Sequence, residues 1–182
     1  MSATVFFETP RLTVRAMDLS DLDAFVAYRS DPDVARYQSW EDYTPEQGRQ
    51  LIASLLGGRP GVPGEWFQLA VEDTASGALV GDLATHVDAD EHRQLEVGFT
   101  LAPEHQGKGY GTEALRGLLT YVFDTLEMHR VIAVTDAENA AAAALLTRVG
   151  FRKEAHFVDN VFFKGAWGSE FVFAMLASEW TS

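Results

Sequence analysis

An α+β fold is predicted, with a mixed, mostly antiparallel central sheet of about seven strands and flanking helices, and three observations predict it. Strand-like segments at 66–71, 78–85 and 94–101 follow one another across short turns, as in an antiparallel meander. After residue 107 the pattern changes to helix, strand, helix, which adds a crossover unit. Two further strand-like runs close the chain. The 182 residues, set against roughly 150 per domain, are read as a single domain over 1–182 with a sizeable core.

The elements follow in order. Leu12-Thr13-Val14-Arg15-Ala16 alternates apolar and polar, the period of a half-buried strand. Ser20 stands where it can cap a helix whose apolar positions Leu22, Phe25 and Val26 recur at spacings of three and four. Thr44-Pro45-Glu46-Gln47 combines a Thr N-cap, Pro at the first helical position and Gln three residues on, so a second helix opens there and ends near Leu56. Residues 57–64 hold four Gly and two Pro and form a loop. The meander strands come next, with Asp73-Thr74-Ala75-Ser76-Gly77 as one turn. Leu115, Leu118, Leu119, Val122, Phe123 and Leu126 trace one helical stripe. Val131-Ile132-Ala133-Val134 is a short buried strand. Asn139 caps an Ala-rich helix that ends at Gly150, a C′ glycine. The last strands lie around 157–163 and 170–176, joined by Gly165-Ala166-Trp167-Gly168.

The charge balance, 14 Lys+Arg against 27 Asp+Glu for a net −13, speaks against a nucleic-acid or anionic-membrane surface, because both need a basic footprint. A cationic partner or simple solubility fits better. No Cys is present, so there is no disulfide, thiol nucleophile or thiolate metal site. Glu8 and Arg11 and the lack of an apolar core region argue against a signal peptide. The longest apolar run, Ala140 to Leu146, is far short of the roughly 20 residues of a span. A cytoplasmic location is expected. His92, His129 and His156 lack the spacing of a metal pair, so no metal site is expected.

The chemistry is expected in the stretch from Leu95 to Ala114, where a strand runs through a Gly-rich turn into a helix. The first helical N–H groups have no intrahelical partners and sit at the positive end of the helix dipole, which suits phosphate. Glycine lets the backbone approach an anion, and Lys108 adds a charge. Two known phosphate motifs fail. Lys108 is followed by Gly109 rather than the Ser or Thr of a P-loop, and Glu113-Ala114 follow where the dinucleotide fingerprint needs small residues.

Gln106-Gly107-Lys108-Gly109-Tyr110-Gly111 resembles the Gln/Arg-x-x-Gly-x-Gly/Ala loop that binds the acetyl-CoA pyrophosphate in the GNAT superfamily of N-acetyltransferases. The flanking Pro103 and Thr112-Glu113-Ala114 fit as well. Glu8-Thr9-Pro10-Arg11-Leu12 looks like the opening of the RimJ/RimL-like branch, and Asn139 with the later Gly150-Phe151 resembles that branch's ending. The resemblance implies a GNAT-like fold, acetyl-CoA as co-substrate, and no acyl-enzyme. It implies that backbone groups of Phe99 and Leu101 hold the acetyl carbonyl and pantetheine. Gln106, Gly107, Lys108, Gly109, Tyr110, Gly111 and Thr112 are then cofactor-binding, and Asn139 contacts the pantetheine arm. Gly98 stands where a bulge would free the required backbone groups.

An amine attacks a thioester only as the free base. An α-amine is about a tenth free at pH 7 and a Lys amine about 0.04%, so a lysine-like acceptor leans harder on a general base. Glu96 looks like the branch's proposed base, acting through water, with His86 an alternative. The pattern's Ser is Ala142 here, and the Tyr donor of other branches is Leu146. A water or Tyr110 is then left to protonate the thiolate. His105 is a candidate phosphate neighbour. Tyr37, Trp40, Tyr43, Trp66 and Phe67 fall where the family builds its acceptor cleft. The acceptor implied by the branch is a protein N-terminal α-amine. The acidic runs Glu41-Asp42 and Asp88-Ala89-Asp90-Glu91 keep a small polyamine or aminoglycoside-like cation open, and the missing donor keeps a non-catalytic acyl-CoA-binding module open. A homodimer is an open assembly state.

Overall fold

The computed structural model describes residues 3–181. Its strands are β1 (Val5–Glu8), β2 (Leu12–Ala16), β3 (Trp66–Asp73), β4 (Leu79–Val87), β5 (Gln94–Leu101), β6 (Arg130–Asp136), β7 (Arg152–Phe163) and β8 (Ala166–Leu176). The helices are α1 (Leu22–Arg29), α2 (Pro32–Ala35), α3 (Pro45–Leu55), α4 (Tyr110–Thr120) and α5 (Ala140–Val149). One sheet runs in the order β1-β2-β3-β4-β5-β6-β8-β7. Among the named strands only β5 and β6 pair in parallel, as the crossover through α4 requires.

The sheet has eight strands rather than about seven. The additional one, β1, is four residues of Val-Phe-Phe-Glu whose pairing with β2 is set by the turn at Thr9, where its N–H donates to Leu12 O at 2.9 Å. Its aromatics find partners far along the chain: Phe6 meets Phe67 edge-on at 5.9 Å and Phe7 stacks on Tyr121 at 5.6 Å. Local alternation carries none of that.

Other boundaries also moved. Ser20 is not the cap of the first helix. Asp18 accepts from the Ser20 N–H, and Asp18 and Asp21 form a capping box around a short 3-10 turn that leads into α1. A carboxylate two residues earlier satisfies the free donors better than the hydroxyl does. The stripe from Leu115 to Leu126 is helical, but after Thr120 it loosens into a π-type turn closed by Leu126 N–H to Tyr121 O at 3.1 Å. The seventh strand in sequence begins at Arg152 rather than around 157. By contrast, the Thr44–Gln47 capping box, Pro45 at the first position and the left-handed Gly150 after α5 stand where their chemistry places them.

The helices divide between the two faces of the sheet. Asp82 of β4 accepts from Tyr28 Oη at 2.6 Å and from Arg29 Nη2 at 3.0 Å, so α1 covers the Asp82 face. Gly111 of α4 lies against Leu101, which pairs with Gly81, the neighbour of Asp82. Alternation therefore puts α4 on the opposite face. There Leu115, Leu118 and Leu119 are fully buried in the same core as Leu69, Leu95 and Val131. Gly81 is required where it stands: a Cβ there would lie 2.2 Å from Thr100 O.

Candidate active site

Beyond three residue pairs, Gln94–Arg130, Leu95–Val131 and Glu96–Ile132, β5 and β6 part. The opening is not made by a bulge at Gly98. Register with β4 runs unbroken from Val87–Leu95 to Gly81–Leu101, with Gly98 opposite Ala84, so the two strands diverge without a bulge in β5. The Ala102 N–H donates to Val80 O on the β4 side. Alternation then turns the backbone groups of Phe99 and Leu101 to the edge that β6 has left. One of them is already engaged, since the Leu101 carbonyl accepts from Gln106 Nε2 at 3.1 Å.

This edge forms the floor of a groove of about 540 Å³. Gln106, Gly107, Gly109, Gly111 and Thr112 wall one end. Gly107 and Gly109 are left-handed, φ 72° and 82°, a conformation that favours glycine. A Cβ on Gly107 would project into open space, leaving a cradle shaped for an incoming group. Helix α4 starts from Gly109 with no side-chain cap, so its first N–H groups are unspent. Asn139, Ala141, Ala142, Leu145 and Arg148 form the facing wall. The Arg148 cation belongs to that wall and went unmarked in the sequence, where it reads as an ordinary basic residue in a helix's last turn.

The side chains of two loop residues lie away from the groove. Lys108 and Tyr110 do not line the groove. Tyr110 Oη donates to Asp73 Oδ2 at 2.7 Å, which raises the phenol above its ordinary range and, with Ser76, lowers Asp73 to about 2. Held in this way, Tyr110 is not a proton donor to the groove. His105 packs edge-on against Tyr110 at 5.9 Å and lies outside the lining too.

A second cavity of about 350 Å³ shares Tyr37, Gln38, Phe99, Asn139 and Ala142 with the groove, so the two adjoin, and together they are called the trough. Its far end is built by Ser39, Thr135, Asp136, Val161, Phe163 and Glu170. Ala142 and Leu146 line it where a Ser or Tyr would have offered a proton. Asn139 caps α5, its Oδ1 accepting from Ala142 N–H at 3.1 Å, and also lines both cavities.

Glu96 lies on the same strand face as Gly98, one pleat further from the loop, and stands opposite His86. It is half-buried and not itself in the lining. Burial pushes its carboxyl up from the ordinary 4.5; the nearby His86 opposes that rise and Glu170 adds to it. Of the five cleft aromatics only Tyr37 lines the trough. Tyr43 and Phe67 are buried in the core, Trp40 packs on Arg29, and Trp66 stacks on His86 at 5.0 Å. The acidic run is not part of the lining either, and Asp88 caps its own turn through the Asp90 and Glu91 N–H groups.

Two residues at the far end had no sequence signal. Lys164, at the β7–β8 turn, donates from Nζ to Ala35 O at 2.5 Å and Trp40 O at 2.9 Å. It ties that turn to the segment carrying Tyr37, Gln38 and Ser39. Glu170 accepts from Asn160 Nδ2 at 2.6 Å. Among the described residues no cluster of His, Asp or Glu is arranged to hold a metal, and no helix is long and apolar enough to cross a membrane.

The geometry has counterparts among known proteins. The acetyltransferase (GNAT) domain family matches residues 11–152. "Uncharacterized N-acetyltransferase p20" of Bacillus licheniformis is 30% identical over 173 residues, 94% of this chain and 96% of that one. The [ribosomal protein uS5]-alanine N-acetyltransferase of Escherichia coli is 32% identical over 85 residues, 47% of this chain and 44% of that one. A GNAT-family acetyltransferase from Bacillus anthracis superposes with TM-score 0.86 at 27% identity, covering 94% of this chain and 98% of its own. Spermidine N-acetyltransferase from Vibrio cholerae, solved with CoA and spermine, gives 0.80 at 26%, covering 93% and 97%. Fold, groove and matched domain agree: the chain belongs to the GNAT family of N-acetyltransferases, whose acyl donor is acetyl-CoA.

Proposed function

We propose that this N-acetyltransferase is of the RimJ/RimL-like kind and moves the acetyl group to the α-amine of a protein N-terminus, in the cytoplasm. The observation that carries the reading is the trough of two adjoining cavities. It runs from the Gln106–Thr112 loop along the free edge of β5, past Tyr37, to a far end walled by Ser39, Val161 and Phe163, on an exposed loop and an edge hairpin. A trough open at that end admits the first residues of a chain. The relative that acts on alanine of uS5 supports the same acceptor.

In this reading acetyl-CoA, as substrate, supplies the thioester. The N–H groups of Gly107 to Thr112, with Arg148 opposite, hold its pyrophosphate. The free N–H and C=O of Phe99 and the N–H of Leu101 take the acetyl carbonyl and the pantetheine amides, while the Leu101 carbonyl keeps Gln106 in place. Glu96 receives the ammonium proton through a water, and its raised carboxyl is better matched to that task than an ordinary one. The apolar Ala142 and Leu146 give no proton to the departing sulfur. None is needed, because a thiol of pKa about 8.5 leaves readily as thiolate.

A second reading, a small polyamine acceptor, is favoured by Glu170 and Asp136 at the far end and by the spermidine enzyme's similarity. Thiol release measured with Ala- and Ser-initiated peptides, an N-blocked Lys peptide and spermidine decides. The α-amine reading expects peptides with free N-termini to exceed spermidine at least about tenfold in kcat/KM, the scale of one lost charged contact. The reverse order overturns it in favour of the polyamine.

A further inference from the structure

The opening motif Glu8-Thr9-Pro10-Arg11-Leu12 takes no part in the chemistry above, yet it reaches the phosphate loop from 97 residues away. Thr9 Oγ1 donates to Glu113 Oε1 at 2.7 Å, the Arg11 backbone N–H to the same oxygen at 2.8 Å, and Arg11 Nε to Glu113 Oε2 at 2.6 Å. Arg11 Nη1 donates to the Lys108 carbonyl at 3.0 Å, with the guanidinium 4.5 Å over the Tyr110 ring. The motif thus grips the loop on both sides of Gly109: the carbonyl just before it and the first turn of α4 just after.

Peptide planarity gives the grip its consequence. In a trans peptide unit the C=O and the following N–H point in opposite directions. Arg11 lies outside the groove and holds the Lys108 carbonyl toward itself, whereas Gly109 lines the groove. The Gly109 N–H therefore points to the side of the peptide unit away from Arg11. At φ 82° this glycine has no side chain to fix its orientation, and an ungripped Lys108–Gly109 unit is free to turn over.

We propose that Arg11, seated by Thr9 and Glu113, is a positioning residue for the phosphate loop, and acts by orienting the Gly109 N–H rather than by lending charge to the ligand. The proposal rests on the reading that residues 106–112 receive the pyrophosphate of acetyl-CoA. It also accounts for an otherwise unfavourable arrangement, a carboxylate at Glu113 within one turn of a polyanion's seat. Arg11 and Thr9 spend that charge internally, and their hydrogen bonds hold the carboxyl below its ordinary range against its partial burial.

The test is CoA binding by titration calorimetry, together with backbone amide NMR of the free and titrated protein. In the parent protein, amide shifts at Gly107 and Gly109 on adding CoA confirm the loop as the seat; their absence overturns the loop reading, and the proposal falls with it. In Arg11→Met, CoA affinity is expected to fall about tenfold, the scale of one charge-assisted hydrogen bond. The Gly109 amide should already be displaced in the free protein. Arg11→Lys keeps the charge but cannot reach Glu113 and the Lys108 carbonyl together, so it is expected to lose nearly as much. Glu113→Ala separates the mechanisms without relying on Arg11: orientation predicts weaker CoA binding, and pure electrostatics predicts tighter binding because a negative charge is gone. Tight binding in Arg11→Lys or in Glu113→Ala overturns the proposal. If Arg11→Met does not fold, the Glu113→Ala result decides.

Discussion

Glu96 shows how one side chain's surroundings set both a rate and a stability. Its carboxyl is raised above 4.5 chiefly by burial, so the folded protein favours the protonated form. Below the unfolded value both states carry the proton and the group is neutral to stability. As pH rises through the folded value the fold is progressively penalised. Glu96→Gln is therefore expected to lower kcat/KM about 10² to 10³-fold and to remove the rising acid limb of the pH profile, whose midpoint lies above 4.5. The same variant should melt higher than its parent at pH 7 and level with it below about pH 4. A Gln variant that keeps the acid limb would assign the base elsewhere, with His86 the next group to test. At this scale the loop was legible because its pattern is local to a few residues, whereas Glu96 was singled out by resemblance and stands beside the trough rather than in its lining. Glu170, Arg148 and Lys164 were not legible, since Glu170 and Arg148 become walls of the trough, and Lys164 a brace beside it, only through pairings set far away in sequence.

Among the elements, those with their own termination chemistry were readable: α3 from its capping box, α5 from Asn139 and Gly150, and the meander from its turns. Those defined by a partner were not. β1 exists because β2 and Tyr121 are there to receive it, and the four-residue α2 is held by Asp31 accepting from Asp33 N–H at 2.8 Å and by Lys164 pulling on its last carbonyl. That pull has functional weight, since it braces the segment from which Tyr37 and Gln38 enter the trough. Lys164→Met, which keeps the stem and removes the donors, is expected to raise the acceptor KM about fivefold, the worth of one or two modest hydrogen bonds. The KM for acetyl-CoA should stay where it is. A parallel rise in both constants would mean that the latch supports the whole fold rather than the acceptor wall.

Across the whole molecule, the net charge of −13 acts on the two substrates with opposite sign. It repels polyanionic acetyl-CoA and attracts a cationic acceptor. Raising ionic strength from about 0.02 to about 0.2 M shortens the screening length from roughly 20 to 7 Å. KM for acetyl-CoA should then fall while KM for the amine rises, and initial rates over a salt series with each substrate varied in turn check both slopes. Equal slopes would leave the acidity to solubility alone.

The parting of β5 and β6 carries a mechanical consequence. Five strands lie on one side of it and three on the other, and the ladder across the waist holds only three residue pairs. The two flanks of the trough are thus joined in the sheet by a short seam, with Lys164 bracing the far end from outside. Leu95 and Val131, paired and both fully buried at that seam, are the side chains whose packing fixes where the two flanks begin to part, without touching either substrate.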